Sequence, residues 1–108
     1  MEIPDPIKDD VQKAGGLDAI LKKIPGEAET ERMARAFKSL SDPSRLRILH
    51  ILMVQPLCVC CIKEMLDLSD SGLSYHLSRL KDSGLIEGKQ EKNWIIYRPT
   101  KLARELLG

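Results

Sequence analysis

The chain has 108 residues, 43% hydrophobic and 31% charged, a balance that suits one small folded domain and excludes a disordered one. A net charge of +1 excludes a uniformly basic polyanion binder, but the charge is uneven. Residues 1–31 carry four Lys/Arg against eight Asp/Glu and residues 32–108 carry thirteen against eight, so the second part is the one suited to meet a polyanion.

No basic region leads into an apolar run at the start, and no apolar stretch is long enough to span a bilayer. The expected setting is cytoplasmic, with no membrane partner. A reducing compartment favours metal binding or redox chemistry for clustered cysteines over a structural disulfide framework.

The first 27 residues are cut by Pro4, Pro6, Gly15-Gly16 and Pro25-Gly26. Apolar residues at Leu17, Ile20, Leu21 and Ile24 have helical spacing. Residues 1–27 therefore read as an arm of one or two helices that packs on something else, and residues 28–108 as the main domain. From Ala28 to Leu40 the pattern is helical, with Met33, Phe37 and Leu40 on one face. Asp42 is placed to cap the next helix and Pro43 to start it. Pro43 to Val54 is apolar on most sides, which marks a buried central helix ended by Gln55-Pro56.

Cys58 to Leu66 is expected as a short helix with Ile62, Met65 and Leu66 inward. Asp67 to Asp70 forms a turn, and Ser71 to Ser83 a helix stopped by Gly84. Leu85 to Lys89 and Asn93 to Arg98 read as two strands around a Gln90-Glu91-Lys92 loop, and Thr100 to Leu107 as a last helix. Trp94 and Ile96 alternate with Ile95 and Tyr97 and are expected to pack the hairpin on the core. The order is that of a winged helix-turn-helix with a two-stranded β-hairpin wing, in the mainly α (α+β) class.

In the helix from Ser71, Leu73, Leu77 and Leu80 form an inward stripe. The opposite face presents Ser71, Ser74, Tyr75, Ser78 and Asp82. A slim hydroxyl-rich face suits the DNA major groove, and Arg79 and Lys81 flank it as phosphate holders. Lys89, Lys92 and Asn93 sit at the wing tip, within reach of an adjacent groove or backbone. His76 lies at the edge of the leucine stripe, in a packed or phosphate-touching position rather than a metal-binding one.

All three cysteines, Cys58, Cys60 and Cys61, fall within four residues. They offer a soft thiolate site near a helix start, where the dipole favours thiolate and Lys63 adds positive charge. On a regular helix Cys60 and Cys61 diverge by about 100°, so a three-thiolate site needs the first turn to unwind. Cys58 and Cys61 also have the spacing of a redox pair. Soft-ion sensing, redox sensing and inert packing remain open as uses of the cluster.

Several runs in register resemble the ArsR/SmtB family across roughly residues 30–100. They are Phe37 to Leu49, Leu57-Cys58-Val59-Cys60, Ser69-Asp70-Ser71-Gly72-Leu73-Ser74-Tyr75-His76-Leu77, Leu80 to Ile86, and Trp94 to Arg98. The resemblance implies a homodimeric, non-enzymatic transcriptional repressor of a double-stranded DNA operator. Its first and last helices would form the dimer, and its two reading helices would meet half-sites roughly 34–36 Å apart. Gly72 then joins the DNA-contacting stretch.

The Cys-Val-Cys run resembles that family's sites for As(III), Cd(II), Pb(II) or Zn(II), with the ion as effector. This chain departs from the pattern: residues 1–57 hold no cysteine to match the arm thiols of cadmium-type sensors, and residues 99–108, with no histidine and only Glu105, lack the family's alternative site on the last helix. Lys63 occupies the position of a third cysteine in arsenic-type sensors. Asp70 stands where a neutral residue is usual, and is expected to act as the helix cap. The alternatives to ion sensing are a redox-responsive regulator using Cys58 and Cys61, and a thiol enzyme.

Overall fold

The computed structural model describes residues 2–108 and divides into two compact units, a first ending at Glu31 and a second, Arg32–Gly108. The division falls where the charge changes sign from acidic to basic.

The first unit holds α1, Asp5–Lys13, and α2, Leu17–Leu21. Gly15 and Gly16 separate them with φ of 96° and 93°, a left-handed conformation that costs side-chain-bearing residues about 1–2 kcal/mol. Helix α3, Glu27–Ser39, starts in the first unit and continues into the second.

In the second unit, α4 spans Pro43–Val54. It starts as the sequence implies: Asp42 accepts a hydrogen bond from the Arg45 amide at 3.0 Å, and Pro43 takes the first turn. Ile48, Leu49 and Leu52 of α4 are fully buried. The strand β1, Leu57–Cys58, precedes α5, Val59–Met65, and α6, Asp70–Asp82. The wing is β2, Ile86–Glu91, and β3, Trp94–Pro99, and α7, Lys101–Leu107, follows with Thr100 as its cap.

One core joins these elements. Leu73, Leu77 and Leu80 of α6 bury their predicted stripe against a cluster with Ile48, Leu49, Leu52, Ile62 and Leu85. Burying each such side chain is worth about 1.5–3 kcal/mol before the entropy of ordering it. Gly84, at φ 78°, ends α6 and lets the Leu85 amide reach back to the Leu80 carbonyl at 3.0 Å.

The structure corrects several expectations. The sheet has three strands in the order β1-β3-β2, because Leu57 pairs with Tyr97 and Cys58 with Ile96. Cys58 is therefore an extended residue capping α5, not its first helical residue. The wing strands run further than expected, and the turn tightens to Lys92-Asn93, with Lys92 left-handed at φ 56°.

Phe37 is 48% exposed, and the buried residues there are Ala36 of α3 and Leu40 just past its end. Met65 is half exposed while Ile62 alone of α5 is fully buried. Trp94 is 56% exposed and Ile95 is exposed too, so the packing of the wing falls to Ile86 and, in part, Tyr97. Near a hairpin tip a side chain has only its cross-strand neighbour, here Glu91, to cover it.

Candidate functional site

Helix α6 is capped by Ser69, whose Oγ accepts from the Gly72 amide at 3.0 Å. The expected cap, Asp70, is instead the first helical residue, one position too late for its carboxylate to satisfy that amide. Gly72 itself is tight: an added Cβ would stand 2.9 Å from Ser69 Oγ. Its lack of a side chain therefore serves the cap.

Ser71, Ser74, Tyr75, Ser78, Arg79 and Lys81 are exposed on α6. They form two rows. Ser71, Tyr75 and Arg79 follow one another at four-residue intervals, with the Arg79 guanidinium 5.7 Å from the Tyr75 ring centre. Asp70, Ser74, Ser78 and Lys81 border a hollow of about 390 Å³ whose other walls include Val59 and Tyr97. His76 is half-buried and its Nδ1 lies 3.3 Å from Arg45 Nη1, so it braces α6 against α4. Lys89, Lys92 and Asn93 are exposed on the wing, with Lys92 and Asn93 at its turn.

The three thiols converge. Cys58, Cys60 and Cys61 bring their Sγ atoms within 4.8 Å of one another, and Cys58 and Cys61 approach to 3.6 Å. No unwinding of α5 is needed. The extended cap position swings the Cys58 side chain over the first turn, and the pairing of β1 with β3 holds it there. Two thiolates on one ion at about 2.3 Å stand no more than about 4.6 Å apart, so small rotamer adjustments would close the set on a soft ion. Three sulfurs with no carboxylate or histidine among them suit thiophilic ions and not hard ones.

The electrostatics differ among the three. Hydrogen bonding from the Cys60 thiol, and then from the Cys61 backbone amide, lowers the Cys58 thiol to about 7. The interaction with Cys58 raises Cys60 and Cys61 above the ordinary 9.0. Cys58 is thus the thiolate of the group. Lys63 does not supply the effect as expected, because its ammonium is bonded to the Asp70 carboxylate. That ion pair, which joins the cysteine helix to the start of α6, has no local sequence signal: seven residues and a turn separate the partners.

A helix-turn-helix made by α5 and α6, followed by a β-hairpin, defines a winged helix-turn-helix domain. Residues 42–88 match the family described as bacterial regulatory protein, arsR family. A putative arsenical resistance operon repressor of Halobacterium salinarum is 31% identical over 102 residues, covering 91% of this chain and 79% of that one. A cadmium resistance transcriptional regulatory protein of Listeria innocua is 36% identical over 70 residues, covering 64% of this chain and 59% of that one. The solution structure of a homodimeric winged helix-turn-helix DNA-binding domain from Mycobacterium bovis aligns with a TM-score of 0.67 at 26% identity. That alignment covers 78% of this chain and 82% of the other. The chain belongs to the ArsR family of bacterial regulatory proteins.

Proposed function

We propose that this chain is a homodimeric repressor that binds operator DNA through α6 and the wing. A soft metal or metalloid ion on Cys58, Cys60 and Cys61 weakens that binding. The observation that carries the reading is the meeting of three Sγ atoms within 4.8 Å on the segment directly before α6. Val59, between two of these cysteines, walls the same hollow as Ser74 and Ser78. A shift of α5 on ion binding is therefore felt by the face that reads DNA. The ion must bind the two arrangements unequally to change DNA affinity.

On α6, Ser71, Gly72, Ser74, Tyr75 and Ser78 meet base edges and backbone. Arg79, Lys81, Lys89, Lys92 and Asn93 hold phosphates, and His76 acts through its bond to Arg45. The homodimeric state and DNA binding of the Mycobacterium bovis domain support the same assembly here. So does the first unit, where Leu17, Ile20, Leu21 and Ile24 leave an exposed apolar row. In this reading residues 1–27 and α7 form the dimer contact and residues 28–108 the DNA-binding domain. The effector is a thiophilic ion such as As(III), Cd(II), Pb(II) or Zn(II). The arsenical and cadmium resistance regulators among its relatives support that class of effector.

A second reading rests on the 3.6 Å approach of Cys58 to Cys61. An oxidant that takes two electrons and two protons from this pair would leave a disulfide, and the cluster would report redox state instead.

One experiment separates these. Gel shifts on DNA from upstream of the protein's own coding region are run reduced, oxidised, and with As(III), Cd(II) or Zn(II). The ion reading expects release by at least one ion under reducing conditions. Release only on oxidation selects the redox reading. Binding that no condition changes removes the sensor and leaves the repressor.

A further inference from the structure

A second cleft, of about 340 Å³, opens in the Arg32–Gly108 unit between the ends of three helices. Arg35 and Lys38 come from α3, Arg45 from the first turn of α4, and Arg79 and Asp82 from the last turns of α6. Four cations thus face a single carboxylate. Asp82 is bonded to Arg79 at 3.1 Å and offsets one charge. Arg45 is held in place, its Nε donating to the Ser39 carbonyl at 2.6 Å and its Nη1 beside His76. Arg35 and Lys38 have no carboxylate partner among the described residues.

Isolated surface cations are ordinarily just solvated. Here they converge from three helices on one concavity, and although Asp82 pairs with Arg79 and Asp42 lies near Arg45, positive charge remains in excess.

We propose that this cleft binds a phosphate group. Guanidinium forks match phosphate oxygens in pairs, and a lysine adds a point charge. The row Ser71, Tyr75, Arg79 runs along α6 from its start to the cleft, and Arg79 lies against Tyr75. A duplex met by that row would bring a backbone phosphate, flanking the groove, to Arg35, Lys38 and Arg79. The same chemistry would also accept a free phosphate-bearing anion. The DNA source rests on the repressor reading above, and the free source does not.

The test uses the full chain and its Arg35→Gln/Lys38→Gln variant. Both residues are exposed, and a thermal melt matching the parent shows that the fold is kept. In one arm, operator affinity is measured across a salt series. In the other, inorganic phosphate and pyrophosphate are titrated while the amide signals of residues 35, 38 and 79 are followed by NMR.

If the phosphate belongs to DNA, the variant binds operator at least tenfold more weakly at low salt. Its log K against log salt slope also falls by roughly 0.9 for each phosphate that it no longer neutralises. If the phosphate is free, the amide signals shift saturably in the parent and not in the variant, with the salt slope unchanged. Lys38→Arg should retain the response in either case. An unchanged slope together with unshifted signals overturns the site. Should the parent bind no DNA at all, the repressor reading fails, and the phosphate titration alone decides the cleft.

Discussion

The Lys63 ammonium of α5 is bonded to the Asp70 carboxylate at the first residue of α6. It ties the helix that carries two of the three thiols to the helix proposed to read DNA. It also neutralises an acid at the end of α6 that is proposed to approach phosphates. Both groups are largely exposed, so the pair contributes only about 0–1 kcal/mol to stability. Lys63→Met should leave the melting temperature within about two degrees of the parent while weakening operator binding several-fold. Adding Asp70→Asn should restore the affinity. Unchanged operator binding in Lys63→Met would show that the pair plays no part in DNA binding.

The thiols should titrate in order. Cys58, lowered to about 7, is about half thiolate at neutral pH, whereas Cys60 and Cys61 lie above 9.0. Alkylation followed by peptide mass spectrometry should label Cys58 first, with a rate that rises through pH 7. Equal labelling of all three at pH 7 would contradict the hydrogen-bond pattern of the cluster.

Ion binding should release protons in a pH-dependent number. At pH 7 about two and a half protons leave per ion, and between pH 8 and 9 about two, from Cys60 and Cys61, because Cys58 has by then lost its own. Below pH 7 the number rises towards three and affinity falls more steeply. Cd(II) titrations read by thiolate-to-metal absorbance in buffers of different ionisation heat measure both. Serine at any one of the three positions should reduce that absorbance. A Cys61→Ser chain that binds Cd(II) like the parent would rule out the three-sulfur site.

The cap at Asp42 gives a second pH window. The Arg45 amide holds its carboxyl below the ordinary 3.8. A depressed acid stabilises the fold above its unfolded value, and the contribution is lost as pH falls through the folded one. Asp42→Ala should cost about 0.5–2 kcal/mol at pH 7, read by urea unfolding. The difference from the parent should shrink in acid below pH 4. A constant difference down to pH 2 would mean that the charge of Asp42 is not what stabilises the turn.

Leu80 and Trp94 mark opposite ends of the energy scale. Leu80 is fully buried, and Leu80→Ala should cost about 2–5 kcal/mol. Trp94, the sole tryptophan, is mostly exposed on the wing, so Trp94→Phe should melt as the parent does. Its fluorescence should have a solvent-exposed emission that shifts or quenches when operator is added. Emission that operator leaves unchanged would place the wing away from DNA.

Much of this was legible along the chain. Leu73, Leu77 and Leu80 announce α6 because their spacing matches one face of a helix, and Asp42-Pro43 and Gly84 punctuate by local backbone chemistry. Those signals depend on near neighbours, so the sequence by itself determined the helices, the wing and their order, and with them the family.

The tertiary structure alone decided what depends on distant partners. The two-residue strand β1 exists only because Leu57 and Cys58 find Tyr97 and Ile96. That pairing swings Cys58 over the first turn of α5 and brings the three sulfurs together, where helical geometry by itself had set Cys60 and Cys61 apart. The exposure of Phe37, Met65 and Trp94, the Lys63–Asp70 pair and the cationic cleft share this origin. Hydropathy and spacing say which residues can be buried or can bind. Which ones do so is set by the surfaces that folding brings against them.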